Sequence, residues 1–267
     1  MLHNNGYNKM SNTYKNSFKL PAYQTIQVPS DVSICIIGDI HEHPEQFFSL
    51  LRDWKPSPSK WIVSIGDVYD KGYGEKAAET ITDELIKLSD KHIAYAVRGN
   101  HEVKIIKSKK KEPLTKCLKW WRNRPLVISF IYSDRTITVL HAGVSPLMTP
   151  DSLGKDIEVI YVRDVDENGK MIPLVWKMID GVKTLVKSKE GGCSWHDVYD
   201  GRFGHIVSGH AAQADGEAKY YAHSCNLDSG IYDTGRLTGQ IILPNGEFGD
   251  KLIIDGPAFK PKLNIAY

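Results

Sequence analysis

The chain has 267 residues, 41% hydrophobic and 25% charged, with a formal net charge of +2. That length supports one substantial core, and the composition excludes a disordered or fibrous chain. The near-balanced charge excludes a chain-wide positive field of the kind that a dedicated polynucleotide binder presents, so any basic patch is local.

Cys35, Cys117, Cys193 and Cys225 are scattered without a C-x-x-C pair. This argues against a zinc ribbon, a thioredoxin-type redox pair or a disulfide framework, and it predicts a reducing compartment. No apolar run approaches the roughly 20 residues that span a bilayer, and the first twenty residues lack the apolar stretch of a secretory signal. The expectation is a soluble, cytoplasmic protein with no membrane partner.

Residues 1–28 are rich in Asn, Lys, Tyr and Ser. They read as an N-terminal extension outside the core or covering part of it, with residues 29–267 as the single domain. From Val32 onward, short apolar runs stop at polar clusters containing Gly or His, as a buried strand ending in a functional loop does. The runs are residues 32–37, 61–65, 93–97, 136–140 and 205–208. Between the first three lie PEQFFSLLRDW and EKAAETITDELIKLSDKH, whose apolar positions recur at helical spacing. The chain therefore opens as β-α-β-α-β, the parallel start of a layered α/β fold. Residues 127–131 and 136–140 flank a turn and predict an antiparallel hairpin. A second hairpin is expected between the region around Ile231 and LTGQIIL (237–243), and PNGE (244–247) offers another turn before KLIID. The predicted class is α/β with mixed sheets.

Five polar clusters follow the five runs: Gly38-Asp39-Ile40-His41, Gly66-Asp67-Val68-Tyr69-Asp70, Gly99-Asn100-His101-Glu102, His141-Ala142-Gly143 and Gly209-His210. Ligands of open α/β sheets gather at the carboxyl ends of strands, so these clusters are expected to converge. A lone Gly-Asp after a strand is usually a turn, and a lone His usually a core or surface residue. Five such clusters in register with five strand ends are not explained that way. Asp, Asn and His donors without thiolate suit Mn2+, Fe, Zn2+ or Mg2+. One ion cannot easily use Asp39, His41, Asp67, Asn100, His141 and His210 together, whereas two ions about 3.5–4 Å apart can share one carboxylate.

In chain order the clusters read GDIH, GDVYDKG, GNHE, HAG and SGH, and through them the sequence resembles the phosphoprotein-phosphatase type of metallophosphoesterase, the calcineurin-like phosphoesterases. NLDSG (226–230) resembles an element of the bacterial and phage branch, which includes diadenosine-tetraphosphate hydrolases, small serine/threonine phosphatases and RNA-repair phosphatase modules. The resemblance implies a four-layer α/β/β/α sandwich and two divalent metal ions, Mn2+ foremost, with Fe, Zn2+, Ni2+ or Mg2+ as alternatives. It implies that Asp39 and His41 bind the first metal, that Asp67 bridges, and that Asn100, His141 and His210 bind the second. His101 is then the general acid, oriented by Asp70. The implied partner is a phosphorylated substrate, a phosphoprotein first and a nucleotide second, with nucleic acid allowed but not required. A catalytically silent scaffold is the rival of another class, and it has no need of His101.

The sequence departs from the pattern at informative places. Lys71 stands where the family usually carries Arg, so phosphate grip is expected to be shared with another cation. Arg163 is the first candidate, Arg98 and Arg202 weaker ones, and Arg98 reads as structural. His41 is followed by Glu42-His43-Pro44 rather than by Gly. Asp228 reads either as support for a metal-bound histidine or as a turn residue. The basic segment 104–124, with Trp120 and Trp121, reads as a lysine-rich helical cap with its tryptophans packed inward, in preference to a guide for single strands. His43, His196, His205 and His223 are read as non-ligands.

Overall fold

The computed structural model describes residues 23–109 and 112–259. In chain order its strands are β1 (Tyr23–Gln27), β2 (Ser33–Ile37), β3 (Lys60–Ser64), β4 (Ala94–Ala96), β5 (Val127–Ile131), β6 (Thr136–Leu140), β7 (Asp164–Val165), β8 (Leu174–Ile179), β9 (Val182–Lys187), β10 (Cys193–Ser194), β11 (His205–Ser208), β12 (Lys219–Tyr220), β13 (Ser224–Asn226), β14 (Arg236–Ile242) and β15 (Phe248–Asp255). The helices are α1 (Pro44–Trp54), α2 (Glu75–Asp90), α3 (Asn100–Ser108), α4 (Lys116–Arg122), α5 (Trp195–Val198) and α6 (Ile231–Thr234).

The first sheet has the order β15-β14-β2-β3-β4. Its parallel strands are the first three apolar runs, and Ile34, Cys35, Ile36 and Ile37 are all buried, as strands covered on both faces require. The two predicted helices form where expected. α1 turns Phe47, Leu50 and Trp54 inward, and Trp54 Nε1 donates to the carbonyl of Trp61 at 2.9 Å. α2 buries Ala78, Ile81 and Leu85, and its Thr82 hydroxyl accepts from Trp121 Nε1 at 2.9 Å.

The second sheet has the order β1-β5-β6-β11-β13-β12. The β5–β6 hairpin is antiparallel as expected, whereas β6, β11 and β13 run parallel. One face of this sheet joins the core shared with the first sheet through Ile128, Phe130, Ile137, Val139 and Val207. The other face packs Val127, Leu140 and Ile206 against Val144, Val159, Ile160 and Trp195. The fourth layer is thus residues 141–204, which contribute a 3-10 turn (Ile157–Ile160), the small β7–β10 pair and α5 more than long helices.

The hairpin expected around Ile231 does not form. Ile231–Thr234 is one helical turn closed by Gly235 in the left-handed region, and the partners of β14 are β2 and β15. The apolar Ile231 that suggested a strand is buried as the anchor of that turn. The PNGE turn does join β14 to β15. Of the expected N-terminal extension, residues 1–22 lie outside the described residues, and Tyr23–Gln27 pair in parallel with β5 along the sheet edge. In the basic segment Trp121 is fully buried and Trp120 partly buried beneath Arg124.

One element stands apart. Among the described residues, β8 and β9 pair only with each other and expose Trp176 (61%), Met178 (67%) and Leu185 (45%) on one face of a two-stranded ribbon. Among the described residues, no helix is long and apolar enough to cross a membrane.

Leu50 is wholly buried where α1 meets the first sheet. Leu50→Ala is expected to lower unfolding free energy by about 2–5 kcal/mol, read as a shift in urea midpoint with an unchanged m-value.

Candidate metal centre

The structure brings the five clusters together at the carboxyl ends of β2, β3, β4, β6 and β11. Two groups of donor atoms lie within 4.8 Å of one another: His41, Asp67 and His101, and Asp67, His141 and His210. Asp67 belongs to both. Its Oδ2 is 3.9 Å from His41 Nε2, 3.7 Å from His101 Nε2 and 3.3 Å from His141 Nε2. Asp39 Oδ2 is 3.8 Å from His41 Nε2, and its carboxylate also accepts the backbone N–H of His210. Asn100 Oδ1 is 3.0 Å from His141 Nε2.

The imidazoles are aimed from behind. His41 Nδ1 donates to the carbonyl of Asp70 at 3.1 Å, and His141 Nδ1 to that of Ile65 at 2.9 Å, so in both residues Nε2 faces the cluster. With Nδ1 committed to Ile65, His141 Nε2 turns toward two oxygens, Asp67 Oδ2 and Asn100 Oδ1, and these three atoms are a donor set that a divalent cation can take. The buried carboxylates, the oriented imidazoles and the amide oxygen therefore fit divalent metal, and the hard and borderline donors match the class expected from sequence.

Electrostatics without metal reflect the same crowding. Burial, together with Asp228, pushes the Asp39 carboxyl well above the usual carboxylate range. Burial acts on Asp67 too, but His141, His101 and His41 outweigh it and hold Asp67 well below that range. Burial takes His41 down to about 3 and, with Arg163 nearby, depresses His210. Burial opposes protonation of His141 as well, yet Asp67 raises it to about 9.

The loops that carry these groups are conformationally demanding. His41, Glu42, Asp67, Asp70, Lys71 and His210 all have positive φ, a region that costs roughly 1–2 kcal/mol for L-residues. Glu102 stabilises one such turn: its carboxylate accepts the backbone N–H groups of Asp67, Val68, Tyr69 and Gly99. Sequence reasoning gave Glu102 no role, although its place three residues after the Gly99 N-cap is a capping-box signal. At Gly99 a Cβ would lie 2.1 Å from Asp67 Oδ1, so only glycine lets the two loops meet.

Beside Asp67, His101 Nδ1 meets Asp70 Oδ2 at 2.9 Å, and Lys104 Nζ meets the same oxygen at 2.6 Å. These partners hold Asp70 well below the usual carboxylate range. Lys104 is a second residue that sequence reasoning missed, because its partner is 34 positions away. Arg163 Nη2 donates to the carbonyl of His210 at 2.6 Å, while its buried Nε has no hydrogen-bond partner. Lys71 Nζ lies 5.2 Å from the ring of Tyr232, which sequence analysis did not single out and which also packs edge-on toward His41.

Asp228 is buried, and its Oδ1 accepts the backbone N–H of Gly230, the turn arrangement. Arg202 is engaged by Asp200 and the carbonyls of Pro146 and Met148, and Arg98 is buried after β4. Among the described residues, His43, His196, His205 and His223 belong to neither donor group. His43 and His196 are buried, His196 stacked between Trp195 and Tyr221.

Residues 32–214 match the family described as calcineurin-like phosphoesterase. A Schizosaccharomyces pombe protein, provisionally named a serine/threonine-protein phosphatase, is 27% identical over 202 residues, 68% of this chain and 64% of that relative. The chain thus spans less than two thirds of that relative's length. A crystal structure provisionally named a diadenosine tetraphosphatase superposes with a TM-score of 0.63 at 25% identity, covering 86% of this chain and 97% of the other. A protein serine/threonine phosphatase from Saccharomyces cerevisiae shares the fold, with a TM-score of 0.53 at 14% identity over 92% of this chain and 87% of its own.

Two measurements probe the cluster. In the metal-free protein, the stability that His141 contributes is complete below its unfolded value of 6.5 and is lost as pH rises through about 9. Asp39, raised by burial, acts in the same sense, while His41 and His210 are neutral in both states above about pH 6.5. Metal-free stability is therefore expected to fall between pH 7 and 8.5, by up to about 1.4 kcal/mol per pH unit for one proton. Saturating Mn2+ should flatten that slope, because ligation holds the imidazole neutral. Asp67→Asn should sharply reduce bound metal measured by elemental analysis.

Proposed function

The chain belongs to the calcineurin-like phosphoesterase family, and on that premise we propose that it is a dinuclear metal-dependent phosphatase that hydrolyses phosphomonoesters. The observation that carries this reading is Asp67 Oδ2, which serves both donor groups at once with the His101–Asp70 pair beside it. Asp39 and His41 would hold one ion, Asn100, His141 and His210 the other, and Asp67 would bridge. When bound, divalent cations supply Lewis acidity toward phosphoryl oxygens and acidify water at the site.

The remaining chemistry belongs to side chains. With Nδ1–H donated to Asp70, His101 presents Nε2 to the cluster, where a proton on that atom is available to the departing alkoxide. The Asp70 carboxylate fixes the orientation of the His101 ring, and His101 and then Lys104 hold Asp70 well below the usual carboxylate range. Arg163, held against the His210 carbonyl, and Lys71 would bind the non-bridging phosphoryl oxygens.

For substrate we favour phosphorylated serine or threonine in protein, in line with the name of the S. pombe relative. Nucleotide polyphosphate is the second reading, favoured by the similarity that covers 97% of a protein named as a diadenosine tetraphosphatase. Comparing kcat/KM on phosphopeptides, diadenosine tetraphosphate and RNA 2′,3′-cyclic or 3′-phosphate ends separates them. A preference of more than about tenfold for either nucleotide class overturns the phosphoprotein reading. His101→Ala is expected to keep its metal and to slow alkyl phosphates by roughly 100- to 10,000-fold, with much less loss on p-nitrophenyl phosphate. Equal slowing of both removes the general-acid role.

A further inference from the structure

Glu42 occupies the position where the family usually has glycine, and nothing in the proposed chemistry calls for a carboxylate there. Its backbone has φ 61°, a conformation that suits glycine, yet the side chain is only 5% exposed. That carboxylate is fully engaged. One oxygen accepts the backbone N–H of Asp70 at 2.8 Å, and the other accepts those of Gly72 at 3.0 Å and Gly74 at 2.9 Å. The main chain reinforces the junction, because Glu42 N–H donates to the carbonyl of Val68 and Tyr73 N–H donates to that of Glu42. A Cβ at Gly72 would lie 2.0 Å from the carbonyl oxygen of His41, so the two loops are in direct contact.

The Asp70 residue held in this way touches two imidazoles. Its carbonyl accepts from His41 Nδ1 at 3.1 Å, and its carboxylate pairs with His101 Nδ1 at 2.9 Å. Asp70 and the adjacent Lys71 both have positive φ, so this stretch needs external support to hold its shape.

We infer that Glu42 is a positioning residue whose carboxylate fixes the backbone from Asp70 to Gly74 and thereby orients both His41 and His101. It is a local substitute for a loop that glycine would otherwise shape through backbone freedom alone. The inference deepens the phosphatase reading and rests on it for its kinetic consequences, although its structural part stands without turnover. Glutamine cannot replace the carboxylate. It has one acceptor oxygen, so its NH2 group would face either the Asp70 N–H or the two glycine N–H groups.

The test compares Glu42→Gln, Glu42→Gly and Glu42→Asp in the full chain. In metal-free protein, amide hydrogen exchange at Asp70, Gly72 and Gly74 is expected to accelerate at least about tenfold in the Gln and Gly variants, with Asp between them and the wild type. Mn2+ affinity, titrated against a competing chelator, should fall by about 10- to 100-fold, the usual cost of losing a group behind a metal ligand. On substrates, kcat should drop more for phosphoserine than for p-nitrophenyl phosphate, since only the former depends strongly on His101. Glu42→Gly suits the left-handed backbone, so it keeps the test decisive if the Gln variant does not fold. Unchanged exchange in the Gly variant, or unchanged Mn2+ affinity with equal slowing of both esters, overturns the inference. A wild-type protein inactive on both esters would overturn the phosphatase reading instead, leaving exchange and metal affinity to decide the role of Glu42.

Discussion

A carboxylate almost wholly withdrawn from water must be compensated or neutralised, and Asp67 is that carboxylate, at 1% exposure. An ion at such depth carries a desolvation penalty of several kcal/mol. Three imidazoles face its Oδ2, and the His101 backbone N–H donates to its Oδ1. Most other features of this end of the sandwich follow from delivering those partners. The parallel strands supply convergent ends, the glycine at position 99 permits close approach, and carbonyl groups behind the imidazoles set which nitrogen faces inward.

The loops that meet this requirement are braced by two further buried carboxylates. Glu102 binds the turn from Asp67 to Tyr69, and Glu42 binds the stretch from Asp70 to Gly74. Each satisfies amide groups that no strand or helix could pair, because the chain there passes through the left-handed region. The two braces act on consecutive halves of one loop, which carries the shared carboxylate at its start and the partner of His101 three residues later. Rigid placement on strand ends and side-chain support from neighbouring loops thus combine in a single short segment.

Much of this was legible before any coordinates. Apolar runs interrupted by Gly-Asp and Asn-His signals marked β2, β3, β4, β6 and β11 correctly because a strand buried on both faces has few other ways to be written. The six donors and the Asp70–His101 pair were named from the same motifs, and the geometry brings them together. What was not legible has physical reasons. Ile231 is apolar because it anchors a single helical turn, and a short apolar stretch beside a strand does not distinguish that from a hairpin arm. Glu42 appeared only as a departure from pattern, since the amides it satisfies lie 28 to 32 positions away. Lys104 and Tyr232 owe their relevance to folding across the loop junction, which no local spacing records.

The β8–β9 ribbon carries a different implication. Trp176, Met178 and Leu185 share a face with Lys183 and Lys187, and Lys183 sits over the Trp176 ring at 5.2 Å. Among the described residues both outer edges of the ribbon are unpaired, so an apolar strand edge is presented to any neighbouring copy. Lys187 is paired with Asp164, which leaves Lys183 as the gatekeeper of this face: stacking two ribbons would bring its charge against that of its copy. Chemistry that neutralises this one amine, such as acetylation, would remove the repulsion without touching the folded core.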